Sequence, residues 1–193
     1  MNQIEMDPVT RQYRLNGNKV PGVTKIIKAG GLQLDWMPDD WYFERGRAVH
    51  LVTALDDLGD LDESTVDDRI MPYLTGWRRF RAESSFKIEA EGIEKRVSNT
   101  QYRFCGTLDR LGRIRKRRGV LDIKCGQPEP WHQIQLAGYA LCLRNSYALA
   151  RWSLYLKDDG DFRLKPCRDL NDFRIFICAT SITNWKSDYR LED

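Results

Sequence analysis

Val120-Leu121-Asp122-Ile123-Lys124 is a short apolar run that carries an acid and a base two positions apart. Side chains alternate across a strand, so Asp122 and Lys124 point one way while Leu121 and Ile123 point the other, into a core. Ionised groups are rare in such a run unless something pairs with them, because stripping their water is costly. Just upstream, Gly106-Thr107-Leu108-Asp109 is a second strand-like segment ending in a carboxylate. Adjacent strands would gather Asp109, Asp122 and Lys124 into a set able to hold a hard cation against a phosphate. These residues alone leave a plainer reading open. Asp122 and Lys124 then form an ion pair on a solvated sheet face, and Asp109 opens the turn before Gly112.

Working outward, Phe86 to Val97, Gln101 to Arg110 and Gly119 to Lys124 read as three consecutive strands joined by polar turns. The breaker Pro128-Glu129-Pro130 precedes a helix from Trp131 to Leu143. A hairpin follows, Ala150 to Lys157 and Phe162 to Lys165 about the turn Asp158-Asp159-Gly160-Asp161, and then an amphipathic helix from Leu170 to Trp185. Upstream, the spacing of Trp41, Val49, Val52 and Leu55 predicts a helix after Pro38, from Asp40 to Leu58, ended by Gly59. Ile70, Leu74, Trp77 and Phe80 predict a second helix from Thr65 or Val66 to Ser84, with Pro72 marking either its true start or a kink. The chain opens with a hairpin, Gln12 to Leu15 and Lys19 to Pro21 about Asn16-Gly17-Asn18. A short helix then runs from Lys25 to Ala29, capped by Thr24 and stopped by Gly30-Gly31. Helices, a three-strand run, a helix and more strands indicate an α/β sheet covered by helices. One domain over residues 1–193 is expected: an N-terminal hairpin and helix (1–45), a core carrying the motifs (46–156), and a C-terminal hairpin strand and helix (157–193).

At 193 residues the chain is long enough for a full hydrophobic core. No apolar stretch approaches the length of a membrane span. Met1 to Thr10 lacks the basic-then-apolar pattern of a secretory leader, so a cytoplasmic location is expected. The five cysteines (Cys105, Cys125, Cys142, Cys167, Cys178) contain no C-x-x-C pair. That argues for reduced thiols and against a disulfide framework, a structural zinc or an iron–sulfur cluster. Net charge is only +3, so its distribution matters more than its sum. Arg110, Arg113, Arg115, Lys116, Arg117 and Arg118 crowd the segment between the two acidic strands with no acid among them. Such a cluster either tracks a phosphate backbone or forms a solvated hairpin tip.

The order Gly106-x-x-Asp109, Asp122-x-Lys124, Gln135-x-x-x-Tyr139 resembles the PD-(D/E)XK nuclease superfamily, and within it the RecB-like branch that includes phage-type single-domain exonucleases. Gly46-Arg47-Ala48-Val49-His50 is similar to that branch's N-terminal glycine-to-histidine helix motif, and Glu94 falls where such proteins often carry a glutamate. The resemblance runs from Gly46 to Leu156. Cys125 stands where the family usually has threonine, the accessory cysteine cluster of the iron–sulfur subgroup is absent, and no helicase motor accompanies the motifs.

The resemblance implies a central mixed β-sheet flanked by helices, a restriction-endonuclease-like core, and a metal-dependent DNA nuclease. It implies Mg2+ or Mn2+ held by His50, Asp109, Asp122 and the backbone carbonyl of Ile123. Glu94, Asp109, Asp122, Lys124, Gln135 and Tyr139 would serve the reaction, and Arg113, Arg115, Lys116, Arg117 and Arg118 would bind nucleic acid. Carboxylate oxygens suit magnesium, and an imidazole suits manganese as well. A cation there polarises the scissile phosphate and offsets charge in the transition state. Lys124 would stabilise developing charge, or act in proton transfer with a pKa lowered by burial. Gln135 and Tyr139, one helical turn apart, would position the lysine or touch the backbone; His132, one turn before Gln135, would line the same cleft. Glu94 is either part of the site or an exposed strand residue, with Glu91 its competitor should the register differ. DNA is the implied partner, with a recombination or replication protein as a second. An exonuclease in phage-like recombination, replication or repair is the leading expectation. A structure-specific or restriction-type endonuclease, and a non-catalytic nucleic-acid-binding domain, are the alternatives.

Overall fold

The structure, a computed structural model, describes residues 2–33 and 40–191. Pro38, the expected breaker before the long helix, lies outside them. The described chain begins with a small antiparallel sheet, β1 (Ile4–Met6), β2 (Tyr13–Leu15) and β3 (Asn18–Val20), followed by α1 (Val23–Ala29). Two longer helices come next, α2 (Asp40–Leu58) and α3 (Met71–Ser84). Then come β4 (Lys87–Asn99), β5 (Phe104–Ile114), β6 (Arg117–Lys124), α4 (Trp131–Leu141), β7 (Ala150–Leu156), β8 (Phe162–Pro166) and α5 (Asn171–Asp188). Strands β4 to β8 form a five-stranded sheet in chain order. Every pair in it is antiparallel except β6–β7, whose parallel pairing follows from the α4 crossover between them. This is the expected α/β class: a central mixed sheet flanked by helices, the layout of a restriction-endonuclease-like core.

The helices divide between the two faces of the sheet. On one side α1, α4 and α5 bury Val23, Ile26, Leu136, Ala137, Phe173 and Phe176 with Phe104 and Val120 of the sheet. On the other, α2 and α3 bury Val49, Leu74, Trp77 and Phe80 against Leu121, Ile123, Trp152 and Leu154. Strand β6 is therefore covered on both faces, which explains why, from Gly119 onward, it is apolar at every position except Asp122 until it ends at Lys124. Among the described residues no helix is long and apolar enough to cross a membrane.

Several boundaries differ from the sequence reading, each for a local reason. Helix α3 starts at Met71 with Pro72 in its first turn, where a missing N–H costs nothing; Glu63–Thr65 is a separate 3-10 turn capped by the Asp62 side chain. Helix α1 starts two residues earlier than expected and is preceded by Gly22, so Thr24 lies inside it and is not the cap. Strand β5 continues past Arg110 to a tight turn at Arg115-Lys116, and Asp109 accordingly sits in mid-strand, buried, opening no turn. Strand β1 pairs with β2 without an alternating pattern long enough to announce it.

Candidate active site

The antiparallel ladder between β5 and β6 runs from the Ile114/Arg117 turn to the pair Arg110/Leu121 and stops there. Beyond that point Asp109 takes over as acceptor: its Oδ2 receives the Ile123 backbone N–H at 2.6 Å. The carboxylate thus replaces a strand carbonyl and ties the diverging strands together with its other oxygen, Oδ1, left over. That oxygen lies 3.5 Å from Nδ1 of His50, which α2 presents from the opposite layer. The same imidazole nitrogen lies 3.8 Å from Oε1 of Glu94. One ligand atom each from His50, Glu94 and Asp109 falls within 4.8 Å of the others.

Glu94 arrives there through an irregularity in β4. Its register against β5 shifts between Ile88 and Ile93, and both Glu91 and Glu94 have left-handed backbones, with φ of 57° and 44°. A bulge adds a residue to one strand and re-aims the side chains after it. Positive φ at a non-glycine residue is strained and persists only where the surroundings enforce it. The bulge delivers Glu94 to the cluster and leaves Glu91 on the surface, outside it.

Asp122 and Lys124 share the α4 side of β6, as alternation requires, and they are not on a solvated face. Asp122 is 1 % exposed, and its Oδ2 lies 2.7 Å from Lys124 Nζ. That contact is an ion pair without hydrogen-bond alignment, and Oδ2 has no hydrogen-bond partner among the described residues. Lys124 Nζ donates to Gln135 Oε1 at 2.9 Å, Gln135 Nε2 donates to the Tyr139 hydroxyl at 3.1 Å, and the Trp131 ring lies 5.4 Å from the ammonium. The one-turn spacing on α4 therefore makes Gln135 and Tyr139 a bracket for the lysine.

The electrostatics follow from crowding acids in a buried place. Burial pushes the Asp122 carboxyl up to about 6, with Lys124 pulling the other way and Asp109 reinforcing the rise. Burial alone would lower the pKa of Lys124, but Asp122 and Asp109 outweigh it and the net direction is upward. The expected lowered lysine pKa is thus corrected: Lys124 is an ammonium whose charge is held by carboxylates. His50 behaves alike, burial opposing its charged form while Asp109 and Glu94 raise its pKa overall. His132 is the contrary case. Burial and the nearby Lys124 push it down to about 3, so it is a neutral ring, sharing a hydrogen bond with the Tyr155 hydroxyl at 3.0 Å. Cys125 is pushed up to about 11 by burial and stays an unreactive thiol.

The donor set fits a hard divalent cation. Carboxylate oxygens with one imidazole are the ligands magnesium and manganese accept, and the buried Asp122 carboxylate beside them is balanced by the Lys124 ammonium but has no hydrogen bond at Oδ2. The tight group differs from the ligand set implied by the motifs. His50 and Asp109 belong to it and Glu94 joins them, whereas Asp122 lies beside it, paired with Lys124. Ile123 meets Asp109 through its N–H, not its carbonyl.

Behind the cluster lies a network that the sequence did not disclose. Arg110 and Asp57 are both fully enclosed and joined at 2.6 Å. Arg110 also donates to the Asp109 carbonyl oxygen at 2.7 Å, to Glu94 Oε1 at 3.3 Å and to Thr53 Oγ1 at 3.2 Å, while Asp57 accepts from Trp77 and Arg81. Burial pushes the Asp57 carboxyl up against the pull of Arg110 and Arg81. Arg110 consequently leaves the basic surface cluster to which its sequence neighbours assigned it. Arg118 is also engaged, donating twice to Glu89 at 2.7 and 2.8 Å, with Arg113 3.7 Å from the same carboxylate. Arg115, Lys116 and Arg117 are exposed at the turn. At ~3.3 Å per residue that turn lies about 20 Å along β5 from Asp109, so the basic cluster is not beside the carboxylates.

Gly106 has a steric reason. A Cβ there would lie 2.9 Å from Cε1 of Tyr139 and 2.9 Å from Cγ2 of Val23. Gly106→Ala should force the ring that brackets Gln135 aside and destabilise the protein by about 1–3 kcal/mol, the usual cost of overpacking. Urea denaturation checks this; unchanged stability would mean that Tyr139 is not packed as described. Gly46 carries no such constraint, since a Cβ added on this part of α2 meets open space.

No protein-family model matches the chain, and no curated protein matches it. Among solved structures the chain is similar to an alkaline exonuclease from Laribacter hongkongensis, at 12% identity over 88% of this chain and 90% of that one, with a TM-score of 0.40. It is also similar to the protein SSO0001, at 16% identity over 85% and 89% of the two chains, with a TM-score of 0.37.

Proposed function

We propose that this chain is a PD-(D/E)XK-type deoxyribonuclease that uses Mg2+ or Mn2+ to hydrolyse phosphodiester bonds, acting as an exonuclease on DNA ends in phage-like recombination, replication or repair. The observation that carries the reading is the convergence of Asp109, Asp122 and Lys124 at the point where β5 and β6 part, with His50 and Glu94 brought to the same place by other elements. A stabilising role alone does not account for it. Two buried carboxylates and a largely buried ammonium, with His50 and the exposed Glu94 carboxylate beside them, cost solvation that apolar residues would not.

His50, Glu94 and Asp109, with Asp122 alongside, would hold the cation. When bound, it would polarise the scissile phosphate and neutralise charge gathering on it. The chain's own groups do the rest. Lys124 keeps its proton and offers a fixed positive charge to a phosphate oxygen as negative charge develops. Gln135 and Asp122 hold the lysine, and Tyr139 holds Gln135. Arg110 steadies Glu94 and the Asp109 backbone from inside.

The test is an end-labelled linear duplex, a nicked circle, a single strand and a covalently closed circle incubated with purified protein in Mg2+, in Mn2+ and in EDTA. Metal-dependent shortening of linear DNA, with the closed circle spared, is expected. Nicking of the closed circle would move the assignment to an endonuclease. All substrates intact in both metals would leave a non-catalytic domain.

A further inference from the structure

At the end of the sheet remote from the carboxylates, the β5–β6 turn, the segment between α4 and β7, and the segment between β8 and α5 enclose a groove of about 640 Å³. Its lining contains Lys116, Arg117, Arg144 and Arg168 and no acidic residue. All four cations are exposed, and none has an ion-pair partner among the described residues. The other two arginines of the groove are already neutralised, Arg118 by Glu89 and Arg151 by Asp172. Tyr147 stands among the free cations, 60% exposed, one side of its ring against Phe173 at a centroid distance of 4.6 Å. Three segments far apart in sequence thus contribute like charges to one concavity, an arrangement that repels itself unless an anion is shared. An exposed, propped aromatic ring among unpaired cations adds a flat surface for a base.

We propose that this groove is a second nucleic-acid site, which anchors a single-stranded segment of the substrate through its phosphates and stacks a base on Tyr147. This rests on the nuclease reading for its purpose but not for its test. The groove sits about 20 Å from Asp109 by strand rise, the length of about six steps of duplex. It therefore holds a part of the strand other than the one being cut, and its contribution grows with substrate length.

The experiment measures fluorescence anisotropy of a labelled single-stranded oligonucleotide in EDTA, where no cleavage competes, as a function of salt. Proteins compared are wild type, Arg144→Ala/Arg168→Ala, Tyr147→Ala and Tyr147→Phe; cleavage of a long and a very short single strand is then followed with Mn2+. The double variant should bind about tenfold more weakly, with a log–log salt slope smaller by about 1.4, the value for two lost single-strand phosphate contacts. Tyr147→Ala should weaken binding about tenfold, as loss of a stacked base does, and Tyr147→Phe should restore it. Cleavage of the short strand should be unchanged while that of the long one slows. Unaltered affinity and salt slope in the variants would overturn the anchor while active wild type leaves the nuclease intact. Groove-dependent binding by a wild type that never cleaves would support the anchor and remove the nuclease. A salt-slope change with no effect of Tyr147→Ala would overturn the single-strand assignment, because charge without stacking is equally open to duplex.

Discussion

Asp122→Asn is expected to abolish metal-dependent DNA cleavage, by at least ~100-fold in kcat, the scale on which removing one electrostatic stabiliser acts, while the protein remains folded. The substitution keeps the shape of the side chain and removes the charge. In the metal-free protein that charge is a burden: it is buried, lacks a hydrogen bond at Oδ2 and faces a second carboxylate in Asp109. Its main compensation is the Lys124 ammonium at 2.7 Å, with His50 acting in the same direction. Thermal unfolding in EDTA should therefore show the variant no less stable than wild type. Added Mn2+ should raise the Tm of wild type, because a ligand bound only by the folded state stabilises it, and raise that of Asp122→Asn much less. Loss of activity accompanied by a large drop in EDTA stability would identify Asp122 as a structural ion-pair partner and sink its assignment to the chemistry. Full activity in the variant would sink the site.

Much of this site is legible in the sequence because its spacings are local. Asp122 and Lys124 share a face because a strand alternates, and Gln135 and Tyr139 share one because a helix turns every 3.6 residues. The sheet's class follows from the run of strands that α4 interrupts. Glu94 is different. Choosing it over Glu91 depends on a bulge between Ile88 and Ile93 and on two left-handed residues, and no periodicity encodes an extra residue in a strand. Arg110 is different again: its sequence neighbours are basic surface residues, so a charge count places it with them. The available signal was its position between Leu108 and Gly112 on a strand, together with an aspartate, Asp57, in the last turn of a long helix. The groove that holds Tyr147, Arg144 and Arg168 was not legible at all, because its walls come from segments that meet only once the sheet has closed.

The buried pair is also where the largest loss of stability is expected. Arg110→Leu should destabilise the protein by about 3–5 kcal/mol, because removing one member of a buried ion pair leaves the other charged without its enclosed partner. Asp57 would keep only Arg81 and the Trp77 indole as donors, with burial still opposing its charge. Arg110→Lys should rescue little. An ammonium cannot reproduce the guanidinium fork that reaches Asp57, Glu94, Thr53 and the Asp109 carbonyl at once. Urea denaturation of Arg110→Leu, Asp57→Leu and the double variant forms a cycle that isolates the coupling. The double variant should be less destabilised than the sum of the singles, since it removes both charges and leaves an apolar site beside Trp77. Additive losses would mean that the two residues act separately and that Arg110 is held by its other partners. The cycle also separates folding from chemistry. Arg110 touches Glu94 and the backbone of Asp109, whereas Asp57 touches neither through any bond described, so a stable double variant with weakened metal binding would trace that loss to the missing guanidinium rather than to an unfolded core. A fold held together by apolar contacts alone would not need an arginine in this position. The cluster needs one, because Glu94 and the Asp109 backbone are both held by its guanidinium.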